Sequence, residues 1–78
     1  MDNLVVRSAR IVSSSRANVT FVCPRSKYDM SKSQISTYQN YVTQLLDFIR
    51  TECKLPRSVT LHGILMDSKG REIYTVNR

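Results

Sequence analysis

The chain has no tryptophan, one histidine, two cysteines, two prolines and two glycines among its 78 residues. With so few Gly and Pro and a hydrophobic share of 41%, it is not a low-complexity or disordered sequence. No apolar run approaches the roughly 20 residues that cross a bilayer. Met1-Asp2-Asn3-Leu4 lacks the basic start and long apolar stretch of a signal peptide. The expectation is no membrane partner and a cytoplasmic location, that of the host if the source is viral. Cys23 and Cys53 are too few for a disulfide scaffold, and with His62 the sole histidine they are too few for a zinc site. Both are expected as buried free thiols. They should sit near opposite ends of a helix about 30 Å long, well beyond the ~7 Å that a disulfide spans.

Catalytic groupings are missing too. Ser13, Ser14 and Ser15 have no base near them in sequence, and His62 falls in mid-strand without a nucleophile. There is no P-loop, dinucleotide fingerprint or metal-ligand cluster. A chain this short forms one domain, residues 1–78, with little room for a deep substrate cavity. The reading is therefore no enzyme, no cofactor and no metal.

Acidic residues are scarce: six Asp and Glu against twelve Lys and Arg, a net charge of +6. The imbalance is local. Arg7, Arg10, Arg16, Arg25 and Lys27 lie between Asn3 and Tyr28 with no acid among them. Such a field draws polyanions, although ordinary solubility charge competes as an explanation.

The best-marked element is a helix from Lys32 to Cys53. Ser31 and Gln34 have the spacing of a capping box, and Met30 and Ile35 that of a hydrophobic staple. Ile35, Tyr38, Val42, Leu45, Ile49 and Cys53 recur at helical spacing, and Tyr41, Leu46 and Phe48 widen the stripe. Arg50 and Lys54 suit the carboxyl end of the helix dipole, and Pro56 disfavours helix at Leu55. The stripe needs another apolar surface, which the flanking segments supply.

Two strands precede the helix, Leu4 to Val12 and Ala17 to Cys23, joined by Ser13-Ser14-Ser15-Arg16. Ala17, Val19, Phe21 and Cys23 share one face. The first strand alternates poorly, since Arg7 and Ala9 fall in phase with Val5 and Ile11. A bulge or an edge position would account for that. Ser58 to Met66 and Arg71 to Val76 form a second hairpin around Asp67-Ser68-Lys69-Gly70, with a left-handed glycine. Asp67 and Glu72 have turn-making and salt-bridging roles there. Gly63 marks a bulge or a close backbone approach. The fold class is α+β, in the order β-β-α-β-β. A four-stranded, mainly antiparallel sheet carries one long helix on one face, with its second and third strands running parallel.

Function then rests on surfaces. Arg7, Arg10 and Arg16 on the first hairpin, with Arg25, Lys27, Tyr28 and Lys32 before the helix, are the candidate contacts for a partner or nucleic acid. Phosphate would meet the helix terminus and a base would stack on Tyr28. Odd spacing sets Arg7 and Arg10 on different faces unless a bulge intervenes. The uncharged helix face, Ser36, Thr37, Gln39, Asn40, Thr43 and Gln44, is compatible with docking. The leading expectation is a non-catalytic inhibitor or adaptor that occupies a protein or ribonucleoprotein. In size and α+β economy, though in no motif, the chain resembles the anti-CRISPR proteins of phages and mobile elements. The alternatives are a basic nucleic-acid-binding module acting through the hairpin and pre-helix loop, and a homo-oligomer paired through a free sheet edge.

Overall fold

The computed structural model describes residues 4–78; Met1, Asp2 and Asn3, read above for a leader, lie outside them. The elements are β1 (Val5–Ser13), β2 (Arg16–Val22), a short 3-10 turn (Lys27–Asp29), α1 (Lys32–Glu52), β3 (Thr60–Met66) and β4 (Glu72–Asn77). The sheet order is β1-β2-β3-β4. β1 and β2 pair antiparallel, as do β3 and β4, and the parallel pair β2–β3 joins the two hairpins at the centre. This is the expected β-β-α-β-β order, and it adds that β2 and β3 are neighbours.

Local chemistry sets the helix ends. Ser31 Oγ accepts the Gln34 N–H at 3.2 Å, and Gln34 Oε1 accepts the Ser31 N–H at 2.9 Å, closing the capping box. At the other end Cys53 is the C-cap and Lys54 takes a left-handed φ of 53°. The Lys54 N–H reaches the Thr51 carbonyl and the Leu55 N–H reaches that of Arg50, which is a Schellman ending. Thr37, Thr43 and Thr51 turn their hydroxyls back onto carbonyls four residues earlier.

The core is Val19, Phe21 and Cys23 from β2 and its end, Tyr38, Val42 and Leu46 from α1, and Leu61 and Leu65 from β3. α1 packs on β3 and β4. Two features hold it there. Gly63 has no side chain, so Val42 and Leu46 come close to the β3 backbone. The Arg50 guanidinium donates at 2.7 Å to each of the Pro56, Val59 and Arg78 main-chain oxygens, pinning the helix to the segment that leads into β3 and to the residue that follows β4. Asp47 on the same flank accepts two bonds from Arg78. Because that flank faces β4, Tyr41 and Phe48, on the opposite flank by helix geometry, face the β1 side.

The apolar stripe is therefore narrower than its periodicity. Leu46 is fully buried and Leu45 only half-buried, while Tyr41, Phe48 and Cys53 are exposed. Cys53 corrects the expectation of two buried thiols: Cys23 is buried and Cys53 is not. Cys53 shares the face of Val42 and Leu46 but is the C-cap of α1, at the end of the helix, where its side chain is exposed.

Candidate partner-binding surface

β1 is an edge strand, and all nine of its residues are exposed. None of them enters the core. Val5, Val6, Ile11 and Val12 are exposed by 58, 49, 84 and 54%, so its apolar side chains lie open to water along the whole strand. Natural edge strands are blunted by shortness, a covering element, charged side chains or bulges, and of these β1 has two arginines and two register shifts. This one is long and largely apolar.

The register assigns its faces. Val6, Ala9 and Ile11 pair with Phe21, Val19 and Ala17, the helix side of β2. Val5, Ser8 and Arg10 pair with Val22, Thr20 and Asn18, on the open side. The ladder slips between Val6 and Ser8, so Arg7 is the extra residue of a bulge. Both explanations of the broken alternation hold: β1 is an edge and it bulges. The bulge also moves Val5 out of phase with Ile11.

On the helix side, Ile11, Ser13, Ser14, Arg16 and Ala17 form one wall of a groove of about 450 Å³, with Cys53, Leu55 and Val59 on the other. The lining is mostly apolar, and the groove lies beside the Schellman ending of α1. On the open side no second layer is present among the described residues, and no side chain is fully buried. Two cross-sheet rows run there, Ser8–Thr20–Ile64–Thr75 and Arg10–Asn18–His62–Asn77. Neither contains a carboxylate. His62 Nδ1–H donates to Asn77 Oδ1 at 2.6 Å, which ties that imidazole to β4.

The seven basic and aromatic residues expected at the site do not converge. Arg10 lies on the open face at its β1 edge, and Arg16 starts β2 beside Thr60, its Nε 3.4 Å from Asn18 Oδ1. Arg25, Lys27, Tyr28 and Lys32 lie beyond the other end of β2, about 20 Å from Arg16 at 3.3 Å per strand residue. Arg7 sits between these two groups. The pre-helix loop is occupied by its own contacts. Asp67, 1% exposed, accepts the Lys27 N–H at 2.8 Å and the Lys69 and Arg71 N–H groups at 2.9 and 2.7 Å. Burial pushes this carboxyl up. The N–H groups of Lys27, Arg71 and Lys69 and the Arg71 guanidinium outweigh that, and it ionises below its ordinary 3.8. Arg71 also lies over the Tyr28 ring, 4.9 Å from its centroid. One face of Tyr28 is thus already stacked, and the capping box uses donors that an anion at the helix terminus would need.

The residues that composition passed over are the apolar ones: Val5, Val6, Ile11, Val12 and Phe48. Their signal was present in the failed alternation of β1, whose apolar residues fall on both faces of a strand with no buried face. No protein-family model, curated protein or solved structure matches this chain.

Proposed function

We propose that this chain is a non-catalytic binding module that docks on a protein or ribonucleoprotein through β1 and the surfaces flanking it. One observation carries the reading: a nine-residue edge strand is exposed along its whole length and holds four open aliphatic side chains. Exposed apolar surface of this extent marks an interaction site more often than an idle one. Asp47, Asp67 and Arg78 titrate away from their ordinary values, and an ion pair or a turn explains each. None of them needs a reaction to account for it. Occupation of a partner's working surface, in the manner of a small inhibitor or adaptor, is the action such a strand suits.

Affinity capture with and without nuclease tests this, with an Ile11→Glu variant in parallel. Ile11 is 84% exposed, so the substitution should leave stability within about 0.5 kcal/mol. A partner that survives nuclease and is lost with Ile11→Glu is the expected result. Equal capture by the variant would remove β1 from the interface.

The open face supports a second reading, nucleic-acid binding. Arg10, Asn18, His62 and Asn77 form a row without a carboxylate. No Phe, Tyr or Trp lies in either cross-sheet row and His62 is the one ring there, so contact would be mainly to phosphate and sugar. Loss of all captured material after nuclease, with affinity falling steeply as salt rises, would favour this reading over the first.

A further inference from the structure

We propose that the segment which docks on β1 is an extended strand of alternating apolar and acidic residues, added antiparallel or parallel to the free edge. The proposal rests on the docking role of β1 argued above and specifies the chemistry of its partner. A strand added to an edge takes its main-chain bonds from the ladder and its specificity from alternate side chains. Those side chains fall on two faces with different surroundings. On the helix side they meet Val6, Ala9 and Ile11 and the apolar groove closed by Leu55 and Val59. Aliphatic side chains fit that face. On the open side they meet Val5, Ser8 and Arg10, the last a cation in a stretch of sequence that holds no acid from Asn3 to Tyr28. A carboxylate fits opposite Arg10 on that face.

The same charges disfavour a second copy of this chain. In antiparallel self-pairing about Ala9, Arg10 falls opposite Ser8 of the copy, and the two Arg10 side chains become diagonal neighbours on one face, about 7–8 Å apart. Each copy also brings a net charge of +6. An acidic strand replaces this repulsion with attraction.

The test uses the full isotope-labelled chain and synthetic peptides matched to β1 in length, one alternating Val and Glu and one alternating Val and Lys. Amide shifts and exchange protection are read by NMR. The Val/Glu peptide should perturb and protect amides across Val5–Ser13. It should bind more tightly than the Val/Lys peptide by roughly twofold to fivefold for each charge pair at low salt. Arg10→Glu should reverse that order. Its side chain is exposed, and a preserved amide spectrum establishes its fold. Indifference of the wild-type chain to peptide charge would overturn the proposal, as would perturbation confined to Asn18, His62 and Asn77. A sedimenting dimer that the Val/Glu peptide fails to dissociate would also overturn it, in favour of a second copy. If capture is lost with Ile11→Glu while peptide charge has no effect, the docking role stands and the acidic strand falls.

Discussion

The Cδ1 methyl of Leu46 lies 2.7 Å from the point where a Cβ on Gly63 would stand, closer than two carbons can approach. Val42 Cγ1 and Val76 Cγ1 are at 3.2 and 3.4 Å from the same point. The helix sits at this height because β3 offers bare backbone beneath it. Gly63→Ala should therefore destabilise the fold by about 1–3 kcal/mol, the cost of overpacking a filled core. The midpoint of thermal unfolding should drop by roughly 5–20 °C. Leu46→Ala alone leaves a cavity and should cost about 2–5 kcal/mol. In the double variant the methyl added on β3 enters part of that cavity, so the combined loss should be smaller than the sum. Urea titration of the four proteins checks this, and strict additivity would mean that the two positions do not compete for space.

Gly63 was legible as either a bulge or a close approach, and the contact with Leu46 shows the close approach. The capping box of Ser31 and Gln34 and the turn ending at Gly70 were legible because each is closed within a few residues. The coverage of the sheet was not. Helical periodicity places Tyr41, Phe48 and Cys53 on the apolar stripe, but burial depends on what lies opposite, and Arg50, bonded to the segment before β3 and to the residue after β4, fixes where the helix sits. The spread of the candidate site residues was not legible either. Arg16 and Lys27 are close in sequence, yet β2 runs between them and holds them apart.

Asp67 ties the pre-helix loop to the second hairpin, and its two oxygens have separable roles. Oδ1 accepts the Lys69 and Arg71 N–H groups within the turn, and Oδ2 accepts the Lys27 N–H across the fold. In Asp67→Asn the amide oxygen can keep the turn, but an NH₂ then faces the Lys27 N–H, donor against donor. The Lys27 amide should exchange faster with solvent while those of Lys69 and Arg71 change little. The pH response follows from the depressed carboxyl. Between its folded value and the ordinary 3.8 the unfolded chain binds more protons, so stability rises with pH across that window. The contribution is complete above about pH 5 and is lost as pH falls through the folded value. Melting temperatures of the wild type should therefore fall more steeply below pH 4 than those of Asp67→Asn.

Cys53 is exposed beside the groove and Cys23 is 0% exposed in the core. A thiol reagent such as dithiobis-nitrobenzoate should titrate one cysteine in the native protein within minutes. The second should react only as the chain unfolds, and both together in denaturant. Mass spectrometry of the native adduct should place the label on Cys53. Rapid modification of Cys23 would mean that the end of β2 opens far more easily than its burial implies.

Lys54 occupies the left-handed position that closes α1, at φ 53°, where glycine is the usual residue because a Cβ is strained there. The main-chain bonds around it, Lys54 N–H to Thr51 and Leu55 N–H to Arg50, use no side-chain atom and survive its removal. Lys54→Gly should relieve about 1–2 kcal/mol of backbone strain. It should return part of that through the greater freedom of glycine in the unfolded chain, and lose a little more with a cation at the helix carboxyl end. The net expectation is a gain of roughly 0.5–1 kcal/mol, or about 2–8 °C in melting temperature. Lys54→Ala separates the contributions, since it removes the charge and keeps the Cβ. It should be neutral or slightly destabilising. If the two variants melt at the same temperature, the left-handed strain at this position is not limiting, and charge at the end of the helix is what matters there.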